Sequence, residues 1–265
     1  MSAEYYSLED VMRLLAKSRS TVLREAKSGL IPSEIEEGKT KGRRYPKQAI
    51  DALVEIQKKK QKTKLDKYIF SYSTPNDLWA EVSIGRELYG DDDIVPFKQL
   101  LEWRDINDEI FMSLKDNGKV AAYCSFMPVD ESVILPLVED KIREHDIPLH
   151  AIRQWTDPQL SVYAASITVK PTGDTGTDTE IGSLILRHAL KWALSLHRQC
   201  DIKNWYAIGA THAGQELLED IGFSEYISLN NGERKGYTLD NIEKPAKTVY
   251  RLLSKTDSRE ATVSK

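Results

Sequence analysis

Apolar positions near the start of the chain recur at helical spacing. Leu8, Val11, Met12, Leu14 and Leu15 fall on one face of a short helix, with Ser7 as its N-cap and Asp10 placed to complete a capping box. Ser18 caps a second helix that turns Val22, Leu23 and Ala26 inward and leaves Arg19, Ser20, Thr21 and Arg24 outward, until Gly29 ends it. Residues 36–46, Glu-Glu-Gly-Lys-Thr-Lys-Gly-Arg-Arg-Tyr-Pro, have the punctuation of a hairpin with a basic, glycine-bent tip. From Pro46, Ile50, Leu53, Val54 and Ile56 mark another helix, whose apolar face stops at Ile56 and leaves residues 57–66 as a charged helical linker.

Beyond the linker the period changes repeatedly. Tyr68 to Tyr72 alternates like a strand, residues 76–89 and 96–107 read as helices, and two apolar runs flank Asn117-Gly118 as a hairpin. A helix is expected over residues 135–144, a strand over 160–170, a strong amphipathic helix from Glu180, a strand over 204–210, a helix over 213–220, and strands over 224–229 and 236–239. The expected organisation is α+β in two domains: residues 1–56, the linker 57–66, a second domain over 67–242, and a tail over 243–265.

With 40% hydrophobic and 29% charged residues, the composition is that of a globular protein. No stretch approaches the roughly 20 apolar residues of a membrane span, and the Met-Ser-Ala-Glu start lacks a secretory pattern, so a cytoplasmic location is expected. Cys124 and Cys200 have neither a second nearby cysteine nor spaced histidines, and both read as core. His145, His150, His188, His197 and His212 show no ligand spacing, and Asp91-Asp-Asp93 reads as a solvated turn, so no metal is expected. The net charge of −4 hides an asymmetry: residues 39–64 carry Lys39, Lys41, Arg43, Arg44, Lys47 and a lysine-rich run to Lys64, against Asp51 and Glu55. Such a stripe suits phosphates, although a small three-helix interaction module with solvated charges would share the composition.

The order first helix, second helix, Gly-Leu-Ile-Pro, hairpin and Tyr-Pro-entry helix, from Tyr5 to about Ile56, resembles the winged helix-turn-helix domain of the MerR and excisionase families. The resemblance implies binding of double-stranded DNA, with Ser18, Arg19, Ser20, Thr21 and Arg24 at the major groove and Lys39, Lys41, Arg43 and Arg44 along the backbone or minor groove. A homodimer is expected, because such heads usually act in pairs.

Residues 68–240 resemble the GNAT fold of the GCN5-related N-acetyltransferases, through Ser166-Ile-Thr-Val-Lys-Pro before a loop and helix, Ile181-Gly182-Ser-Leu at that helix, and Leu217-Leu-Glu-Asp-Ile-Gly-Phe223 after the next strand. In that family a glycine-rich loop holds the pyrophosphate of acetyl-CoA on backbone N–H groups. The resemblance places an acetyl-CoA or other acyl-CoA site at Val169, Thr177, Ile181, Gly182 and Ser183. This chain departs from the pattern twice: Glu180 stands at a usual glycine, putting like charge against a phosphate, and Leu218 stands where a tyrosine usually protonates the thiolate. Tyr206, Thr211 and His212 are the nearby substitutes, and Glu81, Glu87 and Glu109 are formal candidates for a base, although an isolated Glu on an amphipathic helix is more often solvated, so no catalytic residue is assigned. The expected function is a DNA-binding regulator with a degenerate GNAT-like domain for small-molecule sensing or assembly. An active N-acetyltransferase and an excisionase-like architectural protein are the alternatives.

Overall fold

The computed structural model describes residues 5–35, 42–65, 67–90 and 94–240, with residues 57–65 as helix backbone only. Two compact units divide between Lys67 and Tyr68.

The first unit orders β1 (Tyr5–Tyr6), α1 (Leu8–Leu15), α2 (Arg19–Lys27), β2 (Glu34–Ile35), β3 (Arg43–Pro46) and α3 (Lys47–Leu65). Both expected caps form: the Ser7 hydroxyl accepts from the Asp10 N–H while Asp10 reaches back to Ser7, and the Ser18 hydroxyl accepts from the Thr21 N–H. Between the helices Ala16 adopts φ 52°, ψ 42°, a left-handed turn that costs an L-residue energy, and Lys17 pairs with Glu25 across it. Val11, Leu15, Val22, Ala26, Ile31, Tyr45 and Ile50 form the core, and β3 lies between β1 and β2 in a three-stranded sheet. The hairpin is therefore anchored by β1, a strand that two residues of sequence do not announce. The inward faces are narrower than the periodicity suggests, because Leu14 and Leu23 are 37% and 39% exposed.

The second unit builds a seven-stranded sheet in the order β4-β5-β6-β7-β8-β10-β9. Its strands are β4 (Tyr68–Tyr72), β5 (Phe111–Asp116), β6 (Lys119–Pro128), β7 (Leu160–Val169), β8 (Ile202–Gly209), β9 (Ser224–Leu229) and β10 (Arg234–Leu239). Its helices are α4 (Pro75–Tyr89), α5 (Phe97–Ile106), α6 (Glu131–Val138), α7 (Thr175–Gln199) and α8 (His212–Ile221). Asn117 and Gly118, both at positive φ, make the tight turn from β5 to β6. All neighbours pair antiparallel except β7 and β8, which α7 connects in parallel.

Two helix starts differ from the sequence reading by several residues. α6 starts at Glu131, so Pro136 falls in its last turn rather than near its first. α7 starts at Thr175, before the Glu180 expected, because Asp174 caps it there. Cys124 is buried and Cys200 half-buried, both as free thiols. Trp103, Trp155, Trp192 and Trp205 are buried, whereas Trp79 is exposed and packs edge-on against Phe97. His188 stacks on Phe70, and burial lowers its pKa. The acidic run 91–93 and the tail 243–265 lie outside the described residues.

Candidate functional site

On the first unit, α2 presents Arg19, Ser20, Leu23, Arg24 and Lys27 to solvent. Thr21 is half-buried, and its hydroxyl lies 2.9 Å from that of Ser18, which places it in the cap rather than on the outer face. The two described wing arginines have intramolecular roles: Arg43 donates to the Ser33 hydroxyl at 2.8 Å, and the Arg44 guanidinium lies 4.6 Å from the Tyr5 ring centre. Lys39 and Lys41 lie outside the described residues.

On the second unit, β7 and β8 pair only from Leu160–Ile202 to Ala164–Ala207, although β7 continues to Val169 and β8 to Gly209. Beyond Ala164 they part. A cleft of about 360 Å³ opens along the parted segment, lined by Ser166, Thr168 and Thr211 and closed on its far side by residues of α4, α5, β5 and β6. Glu81 of α4 lines it at 5% exposure, and its Oε1 accepts from the hydroxyls of Ser73 and Ser113, both at 2.7 Å. Burial pushes this carboxyl up to about 7, against the opposing effect of the two hydroxyl donors. Tyr123 lines the same cleft, with burial raising its phenol, and the Tyr89 hydroxyl is 3.3 Å from that of Thr168. At another wall Arg143 and Arg234 both contact Asp140, at 2.8 and 3.0 Å.

Of the residues expected to hold a pyrophosphate, Val169 ends β7 and Thr177, Ile181, Gly182 and Ser183 lie within α7. Residues 177–182 are inside α7, where from Asp178 onward main-chain N–H groups bond the preceding turn, Asp178 donating to the Asp174 carbonyl at 2.9 Å. The first turn already holds carboxylates: Asp174 accepts from the Thr177 N–H at 2.9 Å, and Asp178 accepts from the N–H and hydroxyl of Thr172. Ile181 is buried, Ser183 exposed, and Gly182 faces Val169, whose Cγ2 would lie 3.7 Å from an added Cβ. Glu180 sits in the second turn of the helix instead of at its entrance.

The substitutes for a thiol acid are also occupied. Tyr206 donates to Glu131 at 2.7 Å, Thr211 accepts the Gly214 N–H as the cap of α8, and exposed His212 lies against Glu216. Leu218 is half-buried on α8. Among the described residues no group of three or more His, Cys, Asp or Glu could hold a metal ion, and no helix is long and apolar enough to cross a membrane.

A family model described as a helix-turn-helix domain matches residues 5–57, the stretch that holds α1, α2, the described part of the wing and the first half of α3. The match covers most of the first unit and leaves the seven-stranded unit outside it. No curated protein matches the sequence. Similar solved structures include Ard1 from Thermoplasma volcanium, at 10% identity over 66% of this chain and 97% of that one, with a TM-score of 0.42. An N-acetyltransferase from Staphylococcus aureus Mu50 is similar at 14% identity, over 65% and 98% of the two chains, with a TM-score of 0.43. A putative acetyltransferase from Salmonella typhimurium, solved with its cofactor acetyl-CoA, is similar at 16% identity, over 66% and 94%, with a TM-score of 0.41.

Three features of the chain escape the sequence. Leu23 lies on the outer face of α2, Ser73 and Ser113 converge on Glu81 from two strands, and α7 closes the loop at its own entrance. Only the last left a local signal, the aspartate and threonines of residues 174–179, which favour a cap.

Proposed function

We propose that the chain is a MerR-like DNA-binding transcription regulator whose GNAT-like unit binds a small ligand in the cleft between β7 and β8 and is not an efficient acetyltransferase. The observation that carries this reading is the start of α7 at Thr175, which leaves residues 177–182 as helix and sets Asp174 and Asp178 where phosphates would approach. The residues present do not fit the pyrophosphate of acetyl-CoA. The exposed, basic outer face of α2 supports the DNA half, and the chain acts on DNA as a homodimer, since one small head buries little surface.

Isothermal titration of acetyl-CoA into the full chain, beside gel retardation of duplex DNA over a range of salt, tests both halves. The expected outcome is salt-dependent retardation by a dimer with no saturable heat from acetyl-CoA. Saturable acetyl transfer to amines would overturn the ligand reading, and a monomer on DNA by light scattering would remove the dimer. An acetyltransferase is the second reading, and what favours it is Glu81, a buried carboxyl near neutrality at the wall of the parted cleft.

A further inference from the structure

The outer face of α2 carries one large apolar side chain among its charges. Leu23 is 39% exposed and takes no part in the core of its unit, where Val22 and Ala26 fill the opposite face. Helical spacing puts Arg19 and Lys27 four residues away on either side and Ser20 three before, all exposed. Arg24 follows directly. Every charge on this face is positive, because Glu25 is turned toward Lys17 and pairs with it.

Among the exposed side chains of this face Leu23 is the apolar one, and the rest are cationic or hydroxylic. An apolar protein partner is disfavoured by the cations on all sides, which would lose their hydration against it. Those cations suit a polyanion, and the major groove of duplex DNA offers a single apolar group among its polar base edges, the 5-methyl of thymine. We propose that Leu23 reads thymine: its side chain packs on the 5-methyl group of one thymine while Arg19, Arg24 and Lys27 engage the surrounding phosphates and base edges. The inference rests on the DNA-binding reading and adds to it a base and the residue that selects it.

The test uses the full chain. Its preferred duplex is selected from random sequence, then resynthesised with deoxyuridine in place of each thymine in turn, a change that removes only the methyl group. Affinity is expected to fall about fourfold at one thymine, the equivalent of returning one buried methyl group to water. Leu23→Ala should bind the thymine and deoxyuridine forms of that position alike, whereas Leu23→Met, which keeps an apolar contact, should retain the difference. Because Leu23 is outside the core, circular dichroism of both variants should match the unaltered chain. Indifference to deoxyuridine at every position, a selected site without thymine, or an undiminished methyl effect in Leu23→Ala would each overturn the assignment while leaving DNA binding standing. Failure to retain any duplex at low salt would overturn the DNA reading and this inference together.

Discussion

At the scale of single residues, Glu81 has the most measurable chemistry. Its carboxyl titrates at about 7 in the folded protein against an ordinary 4.5, so the native state holds the proton more tightly than the unfolded chain does. Below about 4.5 both states are protonated and the group is neutral to stability; between 4.5 and about 7 the unfolded chain's carboxyl ionises while the folded one keeps its proton, so stability falls as pH rises through that window. At about 1.4 kcal/mol per pH unit, the difference approaches about 3 kcal/mol above neutrality. Glu81→Gln keeps an acceptor for Ser73 and Ser113 and removes the ionisation. The variant is expected to match the unaltered protein near pH 4.5 and to exceed it by up to about 3 kcal/mol at pH 8, as read by denaturant unfolding of the second unit. A gap that stays constant with pH would mean that Glu81 does not titrate in this range. None of this is legible at residue 81 itself, because its burial depends on Ser73 and Ser113, the latter more than thirty positions away. An acid on an amphipathic helix looks solvated until the sheet beneath it is known.

At the scale of elements, local chemistry was the readable part. Ser7 with Asp10, Ser18, and Asn117-Gly118 each announce a cap or turn through hydrogen bonds made within a few residues, and each forms. The misreadings come from competition between such signals. Periodicity began the long helix at Glu180, but the Asp174 carboxylate nucleates it at Thr175. The helix expected over residues 135–144 instead runs Glu131–Val138, with Ile134, Leu137 and Val138 buried and Pro136 in its last turn. Leu23 matched an inward pattern, but the face of α2 against the core is too narrow to include it. The turn from α1 to α2 shows the opposite case, a structural demand that the sequence meets with an unfavourable residue. Ala16 holds a left-handed conformation usually given to glycine. Ala16→Gly relieves about 1–2 kcal/mol of strain and returns part of it as added freedom of the unfolded chain. The first unit is expected to gain about 0.5–1 kcal/mol, measured by thermal unfolding of the isolated transition, and a loss of stability would show that Ala16 is not strained.

At the scale of the whole molecule, the two units assign different kinds of recognition to different kinds of surface. The first offers a convex helix face with outward cations, and the second a concavity with a buried acid and paired arginines. The separation of β7 from β8 has a consequence for that concavity which needs no assumption about chemistry. β7 pairs with β6 from Val162 to Val169, but with β8 only as far as Ala164. Amide protons directed toward β6 are thus locked along most of the strand, while those directed toward β8 pass from locked to open part-way along it. Hydrogen–deuterium exchange is expected to show this step within β7, with slow exchange on the β8 side before Ala164 and fast exchange after it. Uniform protection along the strand would mean that the gap closes in solution. A compound seated between the strands would slow the fast amides, so a protection screen can find the cleft's natural occupant among candidates that never react.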